Sequence, residues 1–309
     1  MVIAMTAQAM IGTTIGALGR RQNPDGGWGA SPGKRSNTEV TCLALLALHA
    51  AGDPGLGASV SRALHSLTAL QRPGGSWPLS GDLPEGSWTT ALATFSLALF
   101  EPHLHRAVRG AEWLLRQEGR TPGWVARLLA RVQRGNLVVE LNPDLKGWPW
   151  VDGTFSWVEP TAYALLALKK LRGHLAGPPI EARIREGELM LYNRMCEGGG
   201  WNYGNSRVFG ARLPPYPDTT ALALLALQDY QAAEANRLSL LALQRMVAGV
   251  ESGLTLSWSI ISAAAYGRAT DEWIRRLART YAATGFLGET RSIALALLAL
   301  SGGHRLFRV

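Results

Sequence analysis

One unit is written six times along this chain, and that repetition restricts it to a small set of architectures. Six segments open on a polar or acidic stretch and continue as a dense Ala/Leu run. They are TEVTCLALLALHAAG from Thr38, WTTALATFSLALF from Trp88, VEPTAYALLALKKLRG from Val158, PDTTALALLALQDY from Pro217, WSIISAAAYG from Trp258 and ETRSIALALLALSGG from Glu289. Ala and Leu favour helix over strand, and a helix that is apolar on nearly every side has to be buried. More amphipathic segments lie between them, at 60–71, 105–119, 180–195, 233–246 and 271–283. With a helix in MVIAMTAQAMIGTTIGALGRR at the start, six outer helices alternate with six inner ones. Alternation of fully buried with half-buried helices predicts an all-α, two-layer (α/α)6 barrel rather than an open solenoid. One domain over 1–309 is expected, with an insertion at 120–157 that carries an amphipathic helix and an aromatic loop.

In such a barrel all six inner N-termini point to one rim, so the polar residues that open the inner helices converge on one mouth above an apolar interior. Thr38, Thr89, Asp218 and Thr290 are expected to cap the exposed N–H groups there.

A Gly/Trp-rich connector precedes several inner helices. Two have a full form, RRQNPDGGWG around Gln22–Gly29 and LQRPGGSW from Leu70 to Trp77; weaker forms are RQEGRTPGW ending at Trp124 and CEGGGWNYG from Cys196. The Gln can bond free helix-end carbonyls, the Gly supplies positive φ, and the Trp fills the wedge between helix pairs. This Gln-x-x-x-Gly-x-Trp element, followed by a polar-started Ala/Leu helix, resembles the repeat of squalene cyclases, terpene cyclases and protein prenyltransferase β-subunits. The resemblance covers roughly residues 20–300.

That resemblance implies an isoprenoid or other apolar small molecule in the lumen. It also implies an acid that protonates an alkene or epoxide, and aromatic faces that stabilise the resulting carbocation. The family's acid lies in an Asp-x-Asp-Asp-Thr-Ala element; the matching Tyr216-Pro217-Asp218-Thr219-Thr220-Ala221 keeps only Asp218. Glu159 stands in the same register, and Glu39 in NTEVT is a third near match. Each of the three either caps its helix or serves as the acid. Trp88, Trp148, Trp150, Phe155, Trp157, Trp201, Tyr203, Tyr216 and Trp258 either pack the repeats or line the pocket, with Trp157, Trp88 and Trp258 expected to face the lumen. The resemblance thus implies a metal-independent, squalene-type terpene cyclase, an isomerase that needs no cofactor. A non-catalytic barrel binding an isoprenoid, a lipid or a protein is the first alternative. A two-carboxylate glycoside hydrolase using Glu159 and Asp218 is the second.

No Asp-x-Cys or Asp-Asp-x-x-Asp cluster occurs, and His49, His103, His105, His174 and His304 all follow inner helices, at the rim opposite the mouth, so no metal is expected. The thioester element Cys-Gly-Glu-Gln, a Ser–His–Asp set, a phosphate loop and a dinucleotide fingerprint are missing too. The net charge of +8 comes largely from Arg scattered over outer helices, a solvated basic surface rather than a nucleic-acid site. Cys42 and Cys196 read as reduced residues, and the start of the chain lacks the basic leading region of a signal peptide. A cytoplasmic protein is expected, free or peripheral at a membrane. Carbocation chemistry needs a dry site. The rim around Trp148, Trp150, Phe155, Tyr203 and Tyr216 is therefore expected to be covered by a homo-oligomer, another subunit, or the loops at 136–157 and 197–217. In VARLLARVQRGNLVVEL (125–141), Arg127, Arg131 and Arg134 recur at helical spacing opposite Leu128, Leu129 and Val132. This helix either packs on the barrel or lies on an anionic bilayer. In the second case the protein floats with anionic liposomes at low salt and is released at high salt; absence of flotation at both ends that reading.

Overall fold

A computed structural model describes residues 6–121, 142, 144–175 and 178–309. Twelve α-helices fall among them. They are α1 (Ala7–Arg21), α2 (Thr38–Ala51), α3 (Gly57–Leu70), α4 (Thr89–Leu97), α5 (Leu104–Arg116), α6 (Val158–Lys170), α7 (Pro178–Asn193), α8 (Pro217–Ala226), α9 (Glu234–Val247), α10 (Gly253–Ala265), α11 (Asp271–Thr284) and α12 (Thr290–Leu300). The even-numbered helices form the inner ring. Each packs on the next in the order α2, α4, α6, α8, α10, α12, and α12 returns to α2. The ring is therefore closed, and the fold is the (α/α)6 barrel that the alternation predicts. Two short antiparallel ladders decorate the connectors: β1 (Trp148–Pro149) with β2 (Ser156–Trp157), and β3 (Arg207–Val208) with β4 (Ala211–Arg212).

The inner helices are buried because nothing on their surface needs water. In α2 every residue from Val40 to Leu48 is buried, and in α8 every residue from Thr219 to Ala226. Such helices gain little from amphipathicity and are held by neighbours on all sides. The outer helices carry charge on their far face; α5, for example, buries only Ala107, Gly110, Ala111 and Leu114.

Four buried tryptophans join successive pairs. The indole Nε1 of Trp28 donates to Leu18 O (2.8 Å), that of Trp77 to Leu67 O (2.7 Å), that of Trp148 to Leu114 O (2.9 Å) and that of Trp201 to Leu191 O (2.6 Å). Each acceptor is a carbonyl near the end of an outer helix. The backbone N–H of the same four residues donates to Thr41, Thr90, Thr161 and Thr220 Oγ1 on the following inner helix, at 2.9–3.0 Å. The glutamines act as expected. Gln22 Nε2 bonds Gly26 O and Ser59 O, and Gln71 Nε2 bonds Gly75 O and Arg106 O, all within 3.0 Å. Gly26 and Gly75 have φ of +84° and +97°, and a Cβ on either would stand 2.3 Å from a carbonyl of the next outer helix. Only glycine fits that close approach.

Two expectations are corrected. The tryptophan that bonds the end of α5 is Trp148, which the Gln–Gly–Trp pattern does not single out; Trp124 and the 125–141 segment lie outside the described residues. The insertion separates Gln117 from its tryptophan, and Arg183, stacked 3.6 Å over the Trp148 ring, bonds Gln117 O, Lys146 O and Gly147 O there. Nor do the threonines cap. Thr38 Oγ1 donates to Pro78 O (2.6 Å) and Thr89 Oγ1 to Trp77 O (3.2 Å), while Asn37 caps α2 and α8 has no side-chain cap from its N-cap residue. Instead, N–H groups at the inner-helix starts bond carbonyls of the next connector: Thr38 to Leu79, Trp88 to Trp150, Val158 to Tyr203, and Thr290 to Ala30 across the seam.

Thr90→Val and Thr220→Val each strand a buried tryptophan N–H. Each is expected to cost about 1–3 kcal/mol in urea unfolding, and the losses should add in the double variant because the two clamps share no partner. The serine variants, which keep the hydroxyl, should lose far less.

Candidate functional site

Because neighbouring connectors satisfy the inner-helix termini, the first-turn side chains are left for other work. Glu39, Glu159, Asp218 and Arg291 are each the second residue of their inner helices α2, α6, α8 and α12. The closed ring brings this layer together at the mouth. Arg291 Nη1 donates to Glu39 Oε1 (3.2 Å) and its Nε to Glu289 Oε1 (3.3 Å), and Ser292 bonds the other Glu289 oxygen. Among the described residues no cation stands within ion-pairing distance of Glu159.

The consequence is electrostatic. Burial pushes the Glu159 carboxyl up to about 8, and the charges of Glu39 and Asp218 push the same way against the weaker pull of Arg291. Burial also raises Glu39, with Arg291 opposing it. Glu159 is thus a carboxylic acid, not a carboxylate, at neutral pH. Tyr163 lies one turn below Glu159 on α6 and stays a neutral phenol, raised well above its ordinary value chiefly by burial.

Aromatic rings surround these acids. Trp88 stands at the start of α4, 4.9 Å from Trp150 in an edge contact and 5.5 Å from Tyr163. Tyr163 is 6.1 Å from Trp258. Tyr203 and Tyr216 pair at 5.1 Å on the exposed lip, and burial with the Asp218 charge raises the Tyr203 phenol.

The mouth therefore gathers Glu39, Glu159, Asp218, Trp88, Trp150, Tyr203 and Tyr216, with Trp258 beneath them. Four other expected residues take different places. Trp148 and Trp201 are wedges, their indoles tied to outer-helix carbonyls. Trp157 packs on Gly204, and Phe155 is 56% exposed on its loop. Sequence reasoning missed Arg291 and Tyr163. Their signal was a non-aliphatic residue at the second position of an Ala/Leu helix, or four residues after one. At the opposite rim His49 packs on Phe100 at 4.8 Å. Among the described residues no group of three or more His, Cys, Asp or Glu is placed to hold a metal ion. Nor is any helix there long and apolar enough to cross a membrane.

No protein-family model matches the sequence, and no curated protein matches it. Solved structures do share the fold. A variant of type II terpene cyclase MstE from Scytonema, in complex with its product merosterolic acid A, is 14% identical with a TM-score of 0.59, over 97% of each chain. An α-amylase from Clostridium perfringens is 11% identical with a TM-score of 0.65, over 95% of this chain and 97% of that one. Cellobiose 2-epimerase from Spirochaeta thermophila is 12% identical with a TM-score of 0.62, over 97% of each. The chain has the terpene cyclase-like (α/α)6 fold. At these identities the likeness describes the fold alone.

The Glu159 environment can be tested directly. Glu39→Gln removes a repelling charge and should move the Glu159 titration midpoint down from about 8. Arg291→Gln removes the opposing cation and should move it up. Carboxyl-carbon NMR of the labelled protein reads both, and no movement in either would mean that the charges do not converge on Glu159.

Proposed function

We propose that this barrel is a metal-independent enzyme that protonates an alkene or epoxide of an isoprenoid, with Glu159 as the acid. The observation that carries the proposal is a carboxyl group with no ion-pair partner among the described residues, set at the mouth beside a wall of aromatic rings. In the reaction the Glu159 proton forms a C–H bond with one alkene carbon, and the other carbon becomes cationic. The π faces of Trp88 and Tyr163 stabilise that charge. A second alkene of the same molecule then attacks, or the cation rearranges, and loss of a proton to Asp218 ends the sequence. Asp218 returns that proton to solvent and solvent reloads Glu159, so the net change is an isomerisation. Terpene cyclase MstE, which has this fold, is known with geranylgeranyl dihydroxybenzoate as its substrate, and that supports a prenylated molecule here.

Water would quench such a cation. Val151, Phe155, Phe209 and Leu213 are all exposed on mouth-side connectors, an apolar rim suited to a cover. A second copy, another protein or the connectors themselves would supply it.

The carbohydrate reading draws on the same carboxylates and on a fold shared with an amylase and an epimerase. It would prevail if oligosaccharides were cleaved or epimerised while prenylated compounds were ignored. For the proposed reaction, prenylated phenols and alcohols incubated in D2O should give products of unchanged formula apart from one deuterium. Glu159→Gln should bind these substrates but turn over at least a hundredfold more slowly. With a general acid at about 8, activity should fall as pH rises through 8. Full activity in Glu159→Gln would mean a different acid, and no turnover by the wild type would leave a binding barrel.

A further inference from the structure

We propose that the lumen is floored by its own aromatic side chains one helical turn below the mouth. A substrate then places only a short prenyl terminus inside and keeps the rest of its body above the acids. The occupant's chemistry rests on the isoprenoid reading above; the depth rests on geometry alone. Tyr163 and Trp258 are each the sixth residue of their inner helices, α6 and α10. These helices are not neighbours in the ring, since each packs on α8 between them. The 6.1 Å contact between their rings therefore bridges the interior. Both rings are buried, at 3% and 2% exposure. Glu159 lies four residues above Tyr163, a rise of about 6 Å, roughly the reach of one isoprene unit.

A second tier lies beneath. Phe307 is 5.9 Å from Trp258 and stacks on Phe95 at 5.0 Å with 10° between the planes. Its backbone is pinned. Gln228 Nε2 donates to Phe307 O (2.8 Å), and Lys170 Nζ donates to Leu306 O (3.0 Å) and Arg308 O (2.8 Å). The turn at Gly303–Arg305 packs on α10, α12 and α2. The barrel is thus filled from below by a segment anchored to five inner helices or their ends, and Trp258 and Phe307 set how deep a chain can reach.

The test compares dimethylallyl, geranyl, farnesyl and geranylgeranyl alcohols by calorimetry, with xenon-pressurised crystals as a readout that needs no prenyl ligand. A deep tube would gain on the order of a hundredfold in affinity for each added unit. The wild-type protein should instead change less than fivefold from geranyl to geranylgeranyl, and xenon should stay above Tyr163. Trp258→Ala, and Trp258→Ala with Phe307→Ala, should restore a length dependence of tenfold or more; Trp258→Leu serves if the smaller residue prevents folding. A steep length dependence in the wild type, or xenon between Trp258 and Phe95, overturns the floor. If no alcohol binds while xenon stays above Tyr163, the floor stands and the isoprenoid reading fails.

Discussion

The tryptophan clamp is the interaction on which the rest of this molecule depends. One residue ties its indole to a carbonyl near the end of an outer helix and its backbone N–H to a threonine on the next inner helix. Each clamp thereby sets where the next helix pair starts relative to the last. A buried N–H or carbonyl left unpaired costs about 1–3 kcal/mol, more than a typical hydrogen bond gains, so these joints tolerate little displacement. Repeated in four connectors, the joint makes curvature a local property. The ring then closes where Thr290 N–H meets Ala30 O at 2.9 Å and Arg21 meets Gly288 O at 2.6 Å.

The clamps also decide what the mouth can do. Helix N-termini normally draw nearby acids and hydroxyls into capping. Here connector carbonyls meet the first N–H groups of several inner helices, and the threonines are turned toward the connectors. The second residues Glu39, Glu159, Asp218 and Arg291 are released into the mouth as a layer of three carboxyl groups and one guanidinium. One member of that layer, Glu39, is partly neutralised by Arg291. Glu159 has no ion pair among the described residues, and burial with two neighbouring carboxyl groups raises it against the weaker pull of Arg291. The acid strength at the centre of the proposed reaction is therefore a consequence of how the backbone of the ring is satisfied.

The six-pair fold was legible because period and composition leave the Ala/Leu helices one solution. The acids were legible as residues and as a shared rim, but their separate roles were not. Glu39, Glu159 and Asp218 look alike in sequence; only the position of Arg291 across the α12–α2 contact tells Glu39 from Glu159. The missed wedge has a simpler reason. A contiguous Gln–Gly–Trp pattern leads to Trp124, whereas the conserved distance within this chain is the thirteen residues from tryptophan to threonine, as in Trp28 to Thr41 and Trp77 to Thr90. Trp148 to Thr161 keeps that distance. Trp201 to Thr220 stretches it to nineteen because the β3–β4 hairpin is inserted between them. Phe307 carried no signal, since its role depends on a segment folding back under the ring.

An aromatic column through the barrel resolves a conflict in such a fold. Twelve helices around an empty tube would leave the inner layer without contacts on its lumen side, and empty apolar space is destabilising in proportion to its volume. Trp258, Tyr163, Phe307 and Phe95 supply those contacts from within the chain, so the ring needs no ligand to be packed. What the column takes from the lumen, chemistry has to regain at the mouth. There the acids, the upper rings Trp88 and Trp150, and the exposed Tyr203–Tyr216 pair lie within one layer. A cation formed in that layer by the proposed reaction would have π faces below it and water above it. The same packing that stabilises the barrel is thus what makes a cover over its apolar rim necessary to the proposed reaction.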